Sequence, residues 1–202
     1  MVTATRKGAF PMKFAWIGAA LALLAGLTPA TAQTIDFEKS GAVGAVPADF
    51  TVETTGRGKG AVWALQEVQG APSGKLVVAQ TSNDPAANRF PLLVYGKANV
   101  KDADISVKFK PVSGKDDQAA GLVWRYVDKN NYYIVRANAL EDNVVLYIVK
   151  DGKRIDLPVK GKGRSYGAPV PPISKTGWST LAVSVAGISF KVSFNGQDRK
   201  ST

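Results

Sequence analysis

The chain has 202 residues, 45% hydrophobic and 21% charged, with a formal net charge of +10. That length fits one domain, and the apolar fraction is too high for a disordered chain. There is no Cys and no His, so disulfide scaffolds, thiol nucleophiles, thiolate zinc sites and imidazole bases are excluded, and any catalysis falls to carboxylates, Tyr, Lys or Arg.

Residues 1–32 read as a secretory signal peptide. Arg6, Lys7 and Lys13 form a positive start, Phe14 to Leu27 is apolar, and Ala30-Thr31-Ala32 gives a small-x-small cleavage pattern before Gln33. The apolar stretch is shorter than the roughly 20 residues of a membrane span, so no stable membrane insertion is expected after cleavage. The expected location is periplasmic or secreted. An exported chain does not meet genomic DNA, so the basic excess is read as a solvated surface and nucleic acid is not an expected partner.

After Gln33 no segment holds a helical period of about 3.6 residues. Short β-rich runs separated by turn chemistry follow instead: Thr34–Glu38, Ala61–Val68, Lys75–Gln80, Phe90–Tyr95, Ala103–Val112, Ala119–Val127, Tyr132–Asn138, Asn143–Lys150, Lys153–Val159, Trp178–Ala186 and Gly187–Asn195. Thr55–Gly60 and Gly161–Gly167 read as glycine-rich loops, and Pro169, Pro171 and Pro172 as a break before the last hairpin. The expected fold is all-β and antiparallel, over residues 33–197, with 198–202 as an irregular tail.

Alternation fixes two hairpin registers. An Asp151-Gly152 turn sets Ile148 opposite Ile155 and Leu146 opposite Leu157. An Ala186-Gly187 turn sets Val185 opposite Ile188, Val183 opposite Phe190 and Leu181 opposite Val192, leaving Ser184, Ser189, Ala182, Lys191, Thr180 and Ser193 on the other face. A slip of one residue would mix the faces.

In the middle of the chain, closing two hairpins through Asp128–Asn131 and Ala139–Asp142 collects Leu122, Trp124, Tyr126, Tyr133, Val135, Ala137, Val144, Leu146 and Ile148 on a core face. The other face then gathers Arg125, Arg136, Asn138 and Asn143, with Tyr132 and Tyr147 beside them. Aromatic rings that meet the apolar faces of a pyranose, with planar polar groups for its hydroxyls, are the residue types of a saccharide site. The six residues are therefore the candidate ligand contacts, although the same composition also suits a plain solvent face. Glu141 and Asp142, in the loop at the rim, are the candidate acid/base residues and the candidate ligands for a divalent cation such as Ca²⁺. Neighbours in a turn usually point apart, and acidic turn residues are routine. Asp116 and Asp117 form a second acidic loop pair.

The block AGLVWRYVDKNNYYIVRANALEDNVVLYIVKDGKR and the later WSTLAVSVAGISFKVSFNGQ resemble the concanavalin A-like lectin/glucanase superfamily. Within it, the block is similar to the bacterial exported 3-keto-disaccharide hydrolase domain family. The resemblance runs from about Ile35 to Gln197. It implies a two-sheet jelly-roll sandwich with a concave sheet toward ligand, members that bind or act on saccharides, and further strands beyond Gln197. Arg125, Tyr133 and Arg136 match positions in the family's middle strands. The acidic signature of family 16 glycoside hydrolases is absent, since Asp102-Ala103-Asp104 lacks both glutamates. Three readings follow: an exported saccharide-binding domain, a hydrolase acting on glycosidic bonds of (3-keto-)disaccharides, or a structural envelope protein.

Overall fold

Polar–apolar alternation becomes strand after strand in the computed structural model, which describes residues 1–6, 32–85, 88–158 and 167–201. In chain order the strands are β1 (Val2–Arg6), β2 (Ala32–Ile35), β3 (Phe50–Gly56), β4 (Trp63–Glu67), β5 (Leu76–Gln80), β6 (Arg89–Tyr95), β7 (Ala103–Phe109) and β8 (Ala119–Asp128). They continue with β9 (Asn131–Asn138), β10 (Asn143–Lys150), β11 (Lys153–Asp156), β12 (Ala168–Pro169), β13 (Ser179–Ala186), β14 (Ser189–Phe194) and β15 (Gln197–Ser201). There is no helix among the described residues, and so none long and apolar enough to cross a membrane.

One sheet runs β15-β14-β13-β7-β1-β2, and a second runs β11-β10-β9-β8, with β12 pairing the start of β10. They pack face to face. Phe109, Leu181, Val183, Val185, Phe190, Val192 and Phe194 from the first meet Leu122, Trp124, Val135, Ala137, Val144 and Leu146 from the second. Complete burial of such side chains contributes roughly 1.5–3 kcal/mol each, which is what holds the sandwich. The protein is all-β and antiparallel, as its alternation predicts. Two further pairs, β3–β6 and β4–β5, lie outside this sandwich by hydrogen bonding.

The Asp151-Gly152 hairpin has the predicted register, Ile148 opposite Ile155. Both turn residues have positive φ, 51° and 74°, as the tight turn demands. The β13–β14 register differs from the prediction by two residues: Val185 faces Phe190 and Val183 faces Val192. The turn is Gly187-Ile188 rather than Ala186-Gly187, because the first central position needs the positive φ (54°) that Gly187 supplies. Ile188 is left at the tip, 91% exposed. A shift of two preserves parity, so the inward and outward faces are those predicted.

The β8–β9 hairpin carries the larger correction. Leu122 faces Val135 and Trp124 faces Tyr133, but Asp128 faces Asn131, so three residues of β8 stand against one of β9. Arg125 sits in this bulge with φ 48°, and the bulge re-aims its neighbours. Tyr126, predicted on the core face, packs instead against the second apolar cluster on the opposite side of the sheet. Gly121 belongs to β8 because β9 passes close by: a Cβ there would collide with the Val135 carbonyl.

Four strands, β1, β3, β12 and β15, appear where loops or no strand were predicted. β15 replaces the irregular tail, turned from β14 by Asn195-Gly196 with φ 48° and 79°. β3 runs through Thr55 and Gly56 and pairs with β6. β12 includes Pro169, which needs no ladder donor where it lies. β1, within the predicted signal segment, pairs with both β2 and β7. The predicted apolar signal core and the 161–166 part of the predicted Gly161–Gly167 loop lie outside the described residues.

Candidate functional site

The β9–β10 loop is built around Asn138. Its Oδ1 accepts from the Gln118 amide (3.2 Å) and the Leu140 amide (3.1 Å), and its Nδ2 donates to Asp117 Oδ1 at 2.6 Å. This buried amide ties the approach to β8 to the exit from β9, which the Ala119–Asn138 pairing places side by side. Asp117 Oδ1 also accepts from Arg136 Nη1 at 2.9 Å, and Arg136 Nη2 donates to Glu141 Oε2 at 2.8 Å.

The burial in this cluster is uneven. Arg136 is only 8% exposed, while the side chains of Asp117 and Glu141 are 57% and 41% exposed. A guanidinium held below the surface thus fixes two carboxylates that remain open to water. Planar, charge-assisted bonds give that clamp geometric precision. Leu140, 40% exposed, adds an apolar surface in the same loop. The arrangement offers hydrogen-bond acceptors at set positions.

Of the six residues expected to share one ligand face, the structure brings together Arg136 and Asn138, joined by the rim residue Glu141 and by Asp117. Asn143 stands opposite Asn138 in the β9–β10 ladder, while Arg125, Tyr132 and Tyr147 go elsewhere. The Arg125 side chain turns to the inner side of its sheet, over the rings of Tyr133 (5.9 Å) and Phe190 (5.4 Å). It donates to the Gly187 carbonyl and approaches Asp102 at 3.5 Å. The expected convergence of Arg125 with Arg136 is therefore corrected, and the bulge with its positive φ is the reason.

Tyr132 and Tyr147 are buried, not displayed. β3 and β6 cover this part of the sheet, and Leu92 and Val94 close over Tyr132, Val145, Tyr147 and Val149. The face expected to be an open concavity is thus a second core over much of its length. Tyr147 lies under Arg154, which also covers Phe90. Asn143 is half-buried beside Gly167, and its Oδ1 has no hydrogen-bond partner among the described residues.

Tyr132 shares a 2.8 Å hydrogen bond with the Thr55 hydroxyl, and burial pushes its phenol up to about 12. Folding therefore favours the neutral phenol. The stability this gives is complete below the ordinary value of about 10 and is lost as pH rises toward 12. We expect the unfolding free energy of the wild type, from urea titrations, to fall more over that window than that of Tyr132→Phe, by about 2 kcal/mol in all. Tyr126, also raised by burial, contributes equally to both proteins. Parallel pH curves would show that the phenol is hydrated.

Glu141 and Asp142 do not act as a pair. Glu141 turns to Arg136, while Asp142 (φ 45°) accepts the Ile173 amide on Oδ1 at 2.9 Å and the Val170 amide on its carbonyl at 2.9 Å. Asp142 thereby anchors the segment leading from β12. Among the described residues no group of three acidic, His or Cys side chains gathers. Asp128 spends its oxygens on the Asn130 amide and the Asn131 side chain.

No family model matches the chain, and no curated protein matches it. Among solved structures it is similar to the carbohydrate binding module CBM66 from Bacillus subtilis, at 18% identity and a TM-score of 0.46. The match covers 56% of this chain and 64% of that one, so the chain spans less than two thirds of that module's length.

Proposed function

We propose that this chain is an exported saccharide-binding domain that contacts its ligand through the Asp117 and Glu141 carboxylates. The observation that carries this reading is the mismatch in burial within one ion-pair cluster. A surface ion pair made only for stability contributes little. Here a guanidinium has been taken out of water, at a desolvation cost, and its two partners stay wet and oriented. Oriented carboxylate oxygens suit adjacent sugar hydroxyls, which are donors that approach in a fixed geometry. Leu140 would take an apolar sugar face. Export rests on the signal-like pattern of residues 1–32.

The test uses protein produced with its own N-terminus in an exporting host and recovered from the periplasm or medium, where a mass beginning at Gln33 reports cleavage. Calorimetric titration follows with a panel of neutral and acidic oligosaccharides. Asp117→Asn combined with Glu141→Gln is expected to weaken the best ligand at least tenfold, about 1.4 kcal/mol, with an unchanged circular dichroism spectrum. Absence of binding to every member of the panel, or undiminished binding by the double variant, would overturn the proposal.

A further inference from the structure

The β8–β9 hairpin starts beside the rim cluster, where Ala119 faces Asn138, and ends at the far end of the sandwich, where Asp128 faces Asn131. Three other connecting segments meet it there: 100–102 before β7, the β10–β11 turn and the β13–β14 turn. Hydrogen bonds tie them together. Asp102 Oδ1 accepts the Gly187 amide at 3.0 Å, and Arg125 donates to the Gly187 carbonyl. The Gly152 amide donates to the Asn130 carbonyl at 3.0 Å, and the Asp151 amide to Asn131 Oδ1 at 3.2 Å. These segments therefore form one fixed surface.

Its composition departs from ordinary turn chemistry, which favours Gly, Asn, Asp and Ser. Ile188 is 91% exposed, Val127 79% and Val100 38%. Each stands within two residues of the bonded group Asp102, Gly187 and Arg125. Exposed apolar residues scattered singly are normal, whereas a gathering of them marks an interaction surface. Lys101, Lys129, Lys150 and Lys153 are exposed in the same segments, Lys150 facing Lys153 across the turn. None of the four makes an ion pair among the described residues. Asp102 lies beside Arg125, so in these segments Asp128 and Asp151 stand against four ammonium groups. The loops that frame the rim cluster have the reverse balance, with Asp116, Asp117, Glu141 and Asp142 against Lys115.

From this we infer that the far end is a docking surface for an anionic lipid bilayer, which the domain meets peripherally. Charge complementarity and the apolar tips select this partner together. Lysines close to an anionic headgroup layer are attracted to it within a Debye length. Separate β-branched tips among those lysines suit shallow entry between headgroups. An acidic polysaccharide would use the lysines but leave Val127 and Ile188 in water. The chain path agrees. Arg6 and Ala32, the described residues that bracket the apolar Phe14–Leu27 stretch, stand at this same end, Arg6 opposite Ala103 and Ala32 opposite Thr5. A bilayer reached at this end leaves the Asp117 and Glu141 carboxylates facing water, so the surface does not compete with the rim cluster and does not depend on it.

The chain has no Cys, so one engineered thiol takes an environment-sensitive label cleanly. The full chain carrying Ile188→Cys, Val127→Cys or Val112→Cys is labelled with nitrobenzoxadiazole. Each is titrated with vesicles of phosphatidylcholine alone and of phosphatidylcholine with phosphatidylglycerol. Val112, 83% exposed, follows β7 at the rim-cluster end and is the control. Emission from positions 188 and 127 is expected to shift to the blue with the anionic vesicles only, and emission from position 112 to stay unchanged. Lys129→Glu with Lys153→Glu should weaken that binding at least tenfold. Lys101→Glu with Lys150→Glu is the second pair should the first misfold. Equal shifts with both kinds of vesicle, which the apolar N-terminal stretch alone would produce, overturn the inference. So does a response to heparin fragments without one to vesicles, which would mark a surface for acidic glycans. Saccharide titration of the charge-reversed pairs should match the wild type, so failure of this surface and failure of the rim site are read separately.

Discussion

Arg136→Met is expected to weaken saccharide binding about a hundredfold, near 2.7 kcal/mol, while the protein still folds. Methionine retains much of the apolar stem that Arg136 buries but removes both Nη donors. Asp117 and Glu141 then lose the group that aligns them, and they hydrate independently. Because both carboxylates are already wet, the stability loss should be modest, about 1–3 kcal/mol. Arg125→Met is the matched control. Its guanidinium lies over Tyr133 and Phe190 on the inner side of the sheet, so it should cost about 1–2 kcal/mol of stability and leave affinity unchanged. Titration calorimetry and thermal unfolding on the two variants separate the effects. Equal losses of affinity would mean that the two arginines share a ligand after all.

The second large effect falls on Asn138. Replacing it with Leu strips the acceptor from the Gln118 and Leu140 amides and the donor from Asp117. Orphaned, partly buried donors cost about 1–3 kcal/mol each, so Asn138→Leu should lose about 2–4 kcal/mol in urea unfolding, and saccharide affinity with it. Asn138→Asp is more informative. It keeps the acceptor oxygens but sets a second carboxylate beside Asp117, whose oxygen lies 2.6 Å from the present Nδ2. That pair resists double ionisation, which raises the folded-state carboxyl above its unfolded value of about 3.9. The deficit of Asn138→Asp should therefore shrink as pH falls toward about 4. A deficit independent of pH would show that the two side chains separate in the variant.

The sequence by itself determined the all-β class and the sidedness of the strands of the central sandwich away from the β8 bulge. Asp151-Gly152 and Asn195-Gly196 are dipeptides that take two consecutive positive φ angles, and the alternation of Leu181, Val183 and Val185 with Ala182 and Ser184 leaves only one face able to be buried. Even the β13–β14 register, two residues off, kept its faces for that reason. Arg136, Asn138 and Glu141 were legible as neighbours because they follow from local hairpin parity.

Tertiary structure alone decided which outer face stays open. Period-two alternation separates two sides of a strand, but it does not reveal what covers the second side. Tyr132 and Tyr147 look like a displayed aromatic pair until Leu92 and Val94, from far earlier in the chain, close over them. Arg125 is inverted by a bulge that no spacing rule announces, since its left-handed φ is sustained by contacts with Phe190 and Gly187 from the opposite sheet. Long-range packing supplies the energy for both, so neither is written in the local pattern.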